Sequence, residues 1–72
     1  MTDKKEIEWL GNEGCDFCHR ACGEDLYDAK TCFGSWAVMD YECFQKYGIA
    51  VAPGYGQHYK KTSDGRYVKV EG

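Results

Sequence analysis

Residues 15–18 read Cys15-Asp16-Phe17-Cys18, and residues 39–44 read Met39-Asp40-Tyr41-Glu42-Cys43-Phe44. The first stretch is a C-x2-C knuckle, a tight turn from which two thiolates can grip one zinc ion. The second repeats that spacing with an aspartate in front, so Asp40 and Cys43 stand as Cys15 and Cys18 do. Together they offer three sulfurs and a carboxylate oxygen to a tetrahedral ion. Twenty-one residues separate Cys18 from Asp40, just beyond the usual gap of a zinc ribbon. Asp40 also has a plainer reading. Aspartate is a favoured helix N-cap, its oxygen bonding N–H groups of the first turn. If Asp40 is a cap alone, Cys22 or Cys32 must complete the metal shell. His19 is a weaker choice, because it directly follows a ligand and its side chain points outward. Otherwise Cys22 reads as a small buried hydrophobe, and Cys32, close to Gly34, as a partly exposed turn thiol.

The segments around these stretches supply the scaffold. Upstream, Ile7 and Trp9 alternate with Glu6 and Glu8 in residues 5–10, a short half-buried strand pattern. Gly11-Asn12-Glu13-Gly14 is a turn cluster leading into the knuckle over residues 14–19. Between the two ligand pairs, residues 26–39 read as a β-hairpin turning near Phe33, Gly34 and Ser35. The run 40–47 is a short helix, with Lys46 in its last turn and Gly48 as its stop. Beyond it lie the apolar run Ile49 to Pro53 and the loop Gly54-Tyr55-Gly56. A second hairpin over 57–70 follows, centred on Asp64-Gly65. Knuckle, hairpin, then a helix carrying the second ligand pair in its first turn is the treble-clef order. The expected fold is therefore a small α+β zinc-binding domain, treble-clef-like, with a C-terminal β-hairpin, residues 1–72 forming one unit.

Composition explains why a metal is needed. A chain of 72 residues hides only about 60% of its unfolded surface and wants a staple. Five cysteines cannot all pair within one chain. The N-terminal residues 1–14 lack the apolar stretch of a signal peptide. A cytoplasmic setting is thus expected, where thiols stay reduced and zinc outweighs disulfides. A redox C-x2-C normally sits in a βαβ fold larger than this chain can build. Aromatic residues at 15% and hydrophobic residues at 43% exclude a disordered chain. No apolar run approaches the roughly 20 residues of a membrane span.

The segment from Phe33 to Gly48, with Phe33-Gly34, Trp36-Ala37, Met39 and Tyr47-Gly48 in order, is followed by Gly54-Tyr55-Gly56-Gln57-His58-Tyr59. In this it resembles a family of small zinc-finger-like proteins of bacteria and bacteriophages. Their pattern is C-x2-C, then F-G-x-W-A-x-M-C-x2-C, then Y-G and G-x-G-Q-x-Y. The resemblance covers residues 15–72 and places Cys15, Cys18 and Cys43 on the family's metal cysteines. Asp40 stands where the family has a cysteine. The resemblance implies one structural zinc and a bacterial or phage origin, with the host cytoplasm as location if phage-encoded. It implies no reaction and no named partner.

Three function classes remain to be compared. A non-enzymatic zinc module that binds another protein is favoured by aromatics too numerous to bury in so small a domain: Trp9, Trp36, Tyr41, Phe44 and Tyr55. Trp36 and Phe44 are expected to pack against the metal site. The alternative is binding of single-stranded or short nucleic acid. The formal charge is -3, but residues 1–43 carry 4 basic against 10 acidic groups and residues 44–72 carry 5 against 2. In the basic half, Lys60, Lys61, Arg66 and Lys69 could neutralise phosphates, and Tyr55 and Tyr59 could stack on unpaired bases. Tyr67 lies in the same alternation. Four cations are few for that purpose. An enzyme is not expected, since no general base or oxyanion donor can be named beside the cysteines. The glycine loop also lacks the lysine and following helix of a phosphate loop.

Overall fold

The computed structural model describes residues 7–72. Lys5 and Glu6, the start of the first expected strand, lie outside the described residues. In chain order the elements are β1 (Asp25–Lys30), β2 (Trp36–Met39), α1 (Tyr41–Tyr47), β3 (Gly56–Lys61) and β4 (Tyr67–Glu71). The four strands form one antiparallel sheet in the order β2-β1-β3-β4. Both expected hairpins are present, β1–β2 and β3–β4. Their union into one sheet, through β1 beside β3, is the feature that the hairpin signals do not contain.

Residues directly opposite in an antiparallel pair share a face of the sheet. Tyr27 lies opposite Met39 on β2 and opposite His58 on β3. The Tyr27 ring stacks on His58 at 4.4 Å and on Phe44 of α1 at 4.2 Å, so this is the face the helix covers. Leu26 and Tyr59 face each other on the opposite side. There Trp9 tilts against Tyr59 at 5.5 Å. The Tyr67 hydroxyl donates to the carbonyl of Gly23. Leu26, Tyr27, Ala29, Met39, Tyr59 and Tyr67 are buried together with Cys15, Cys22 and Cys43. Among the described residues three of the nine core side chains are thus thiols, and the knuckle belongs to the core rather than hanging from it.

Both outer strands are partly covered. Along β4, Trp9 N–H donates to the Tyr67 carbonyl at 2.9 Å and Lys69 N–H to that of Ile7 at 2.7 Å. Along β2, Val38 is taken by the knuckle, as described below. Uncovered edge strands template unwanted pairing, so these short caps serve solubility as well as stability. Among the described residues no helix is long and apolar enough to cross a membrane.

The seven-residue helix α1 is too short to persist by propensity and is held by its packing. Gly48 ends it, but not through a left-handed backbone, because its φ is -76°. A Cβ there would collide with the Phe44 ring, the same ring that stacks on Tyr27. Glycine is required by this close approach. Gly48→Ala is expected to cost about 1–3 kcal/mol by overpacking, read as a lowered Tm. An unchanged Tm would show that the Phe44 ring can move freely.

Candidate metal centre

The knuckle is a miniature hairpin. Cys15 N–H donates to the Arg20 carbonyl at 2.8 Å, and His19 N–H returns to the Cys15 carbonyl at 2.9 Å. His19 closes the turn at φ 65°, a left-handed conformation that histidine accepts more readily than most side chains. Its side chain is exposed, and it is not among the clustered donors. Inside the turn, Phe17 N–H points at Cys15 Sγ, 3.4 Å away.

Asp16 fixes this turn to the sheet. Its N–H donates to the Val38 carbonyl at 2.7 Å, and its carboxylate accepts the Val38 N–H at 2.8 Å. One residue thereby occupies both hydrogen-bonding groups of Val38 on the β2 edge. Phe17 adds a second tie, its ring stacking on Tyr47 of α1 at 4.4 Å. Neither role could be read from the C-x2-C spacing, which says nothing of the two residues inside it.

With the knuckle anchored, Cys15, Cys18, Asp40 and Cys43 converge. Their ligand atoms all lie within 4.8 Å of one another. A tetrahedral zinc with bonds near 2.3 Å sets its ligands roughly 3.8 Å apart, so the four donors ring the space of a single ion. Cys15 and Cys43 are buried, while Cys18 and Asp40 are partly exposed. Cys22 and Cys32 are not in the cluster. Cys22 is buried in the core, where burial and then the charges of Cys15, Asp40 and Cys18 push its thiol up to about 12. Cys32 is exposed in the β1–β2 turn. The alternative shells built on either are corrected by this placement.

Asp40 carries both readings at once. Its Oδ1 accepts the Cys43 N–H at 2.8 Å, the N-cap bond of α1. Its Oδ2 faces the cluster and accepts from the Cys18 thiol at 3.1 Å. Burial opposes the charge on Asp40. The Cys43 N–H, the Cys18 and Cys43 thiols and the Arg20 guanidinium outweigh it, holding the carboxyl below its ordinary range. A carboxylate has two oxygens, and here each has its own task.

The thiols act on one another in the same way. Burial works against a Cys15 thiolate, but N–H groups of Cys18, Asp40 and Phe17 and the Cys43 thiol favour it, and the net direction is down. Cys43 moves the other way, to about 12, through burial first and then its hydrogen bonds to Cys15 and Asp40. Without an ion, Cys43 keeps its proton and shares it with the Cys15 sulfur. An incoming cation must displace that proton, so binding releases protons and weakens as pH falls. Arg20, exposed beside Cys18 and Asp40, is held more firmly protonated, first by its hydrogen bond to Cys18. Charge patterning did not single out this cation beside the anionic donors.

The nucleic-acid candidates fare differently from the metal set. Tyr59 is buried, with its hydroxyl donating to Gln57 at 2.7 Å, and Tyr67 is buried too. Neither ring is available to a base. Lys60 reaches Asp25 at 3.3 Å, Lys61 lies 6.0 Å from the Tyr67 ring centre, and Arg66 binds Asp64 at 3.0 Å. Tyr55, Lys60, Lys61 and Arg66 are exposed, and Lys69 is partly buried. Trp36 is nearly half exposed instead of packed. Phe44 packs on Tyr27. No protein-family model, curated protein or solved structure matches the chain.

Proposed function

We propose that this chain is a non-enzymatic zinc module of treble-clef type that presents a recognition surface to a partner protein. One structural zinc would tie the knuckle to the start of α1 through Cys15, Cys18, Asp40 and Cys43. The observation that carries this reading is the aim of Asp40 Oδ2 at Cys18 inside a four-donor ring. Three thiolates and a carboxylate against Zn2+ leave the site at net -2. Such a site repels anionic substrates, and four protein donors leave no open position for chemistry. The order knuckle, hairpin, helix supports the treble-clef description. The family resemblance supports an accessory role in a bacterium or phage.

A protein partner is preferred to nucleic acid because the tyrosines needed for stacking, Tyr59 and Tyr67, are core residues. The large exposed aromatics, Phe33, Trp36, Tyr41 and Tyr55, lie outside the basic hairpin strands. Native mass spectrometry of protein purified without added metal tests the zinc claim. One zinc per chain is expected. Metal-free, folded protein would overturn it.

A further inference from the structure

The four clustered donors divide into a covered pair and an open pair. Cys15 and Cys43 are buried, while Cys18 and Asp40 are partly exposed. Water, protons and competing ligands therefore reach Cys18 and Asp40 first. A residue that controls exchange at this centre has to act on that pair.

The register of the knuckle places Arg20 to do so. Gly14 pairs with Ala21, and the Cys15 N–H donates to the Arg20 carbonyl at 2.8 Å. Cys15 and Arg20 thus form the next rung of this small hairpin, and residues on one rung share a face. Arg20 lies on the side of a buried donor, yet it is itself exposed. Its guanidinium hydrogen-bonds Cys18 and is attracted to Asp40 and to Glu42 in the first turn of α1. The same attraction acts on the Asp40 carboxylate. One side chain, rooted in the knuckle through its own backbone, therefore acts on both open donors.

We propose that Arg20 is a latch on the metal centre: its guanidinium bridges the open edge from Cys18 to Asp40 and sets how slowly a bound ion is surrendered. This role rests on the zinc reading of the site and adds the residue that governs exchange there. Arg20 acts through the donors and is a positioning residue. A guanidinium is a planar, always charged fork of donors, which suits a sulfur and a carboxylate side by side. Hydrogen bonds to charged partners are also the stronger ones. Three thiolates and a carboxylate leave the filled centre anionic, and Arg20 offsets part of that charge. A thiolate that accepts a hydrogen bond from a cation is a poorer base, so Cys18 yields less readily to a proton. A carboxylate held close rebinds before a competing ligand enters.

The test follows zinc release from zinc-loaded full-length protein into an excess of a neutral pyridyl chelator. Ionic strength is kept low, because salt screens an exposed cation. Arg20→Ala is expected to release zinc about tenfold faster, in line with the lower end of the affinity lost with an outer partner. Arg20→Lys keeps the charge without the fork and should fall between the two. Lys69→Ala removes the same charge from β4, at the opposite edge of the sheet from β2, and should match wild type. In the cobalt-substituted protein, Arg20→Ala should move the sulfur-to-metal absorption to longer wavelength, because a thiolate loses its hydrogen bond. A side chain that only stabilised the fold would leave that band in place. Equal release by wild type and Arg20→Ala, or equal acceleration in Lys69→Ala, would overturn the latch and leave the zinc site intact. Slower release from Arg20→Ala into EDTA would overturn it too, making Arg20 a docking point for anionic chelators. Wild-type protein that holds no stoichiometric metal would overturn the zinc reading itself.

Discussion

Removing zinc with EDTA is expected to abolish the near-UV circular dichroism of the protein, and adding zinc back is expected to restore it. The aromatic signals that report tertiary packing come from ring pairs that join the knuckle, α1 and the sheet. Phe17 of the knuckle stacks on Tyr47 of α1, and Phe44 of α1 stacks on Tyr27 of β1. No disulfide holds these pieces together, since all five cysteines are free. Without metal the knuckle keeps the Asp16–Val38 pair, the Cys18–Asp40 bond and its ring contacts, each tie worth about 1 kcal/mol net. Zinc in small finger domains contributes about 10–16 kcal/mol at neutral pH. That exceeds the whole folding stability of a domain this small, so losing it decides the outcome. Cys15→Ser and Cys43→Ser should reproduce the EDTA result, since each removes a buried ligand from the core. Cys32→Ser, at an exposed turn position, should change stability by no more than about 0.5 kcal/mol. Equal melting of the three variants, or an EDTA-treated protein with its near-UV spectrum intact, would remove the ligand assignment.

The pH response follows from the same groups. In the ion-free cluster the Cys43 thiol sits near 12, raised above its ordinary value. It therefore holds its proton through neutral pH, and zinc must expel it. Each step down in pH makes that exchange harder, so apparent zinc affinity falls as the solution is acidified. The proton release can be counted in a weakly buffered titration.

The local elements were legible because their signals are local. Asp64-Gly65 between alternating stretches marks a turn, and Gly65 does adopt φ 92°. The clustering of Cys15, Cys18, Asp40 and Cys43 was legible because one spacing occurs twice. What the sequence hid is pairing at long range. Nothing in Leu26 or Tyr59 says that they will be neighbours across β1 and β3. That one pairing turned Tyr59 from an exposed stacking ring into a core residue. Trp36 shows the reverse error. Its segment reads as core, yet β2 is an edge strand and its first residue sits at the open end of the sheet. Asp16 was invisible for another reason. Its work is to bind a backbone, Val38, whose position depends on the finished fold.

Asp40 offers the sharpest separation of roles, because its two oxygens do different things. Asparagine is as good an N-cap as aspartate, so Asp40→Asn keeps the bond from Cys43 N–H and gives up the anionic oxygen that faces Cys18. It is expected to lower zinc affinity by on the order of 100-fold, at or beyond the upper end of what losing a mere outer partner costs. Asp40→Ala removes cap and ligand together. It should lose the same affinity and a further stability of about 1 kcal/mol from the uncapped helix. Asp40→Cys should do the opposite, binding metal more tightly through a fourth thiolate. In the cobalt-substituted protein its sulfur-to-metal absorption should rise by about a third, from three sulfurs to four. If Asp40→Asn holds zinc as wild type does, Oδ2 is no ligand and the fourth position belongs to water. If Asp40→Asn loses zinc while Asp40→Cys gains affinity, the oxygen is a ligand. Its weaker grip would then set how readily this site exchanges its metal.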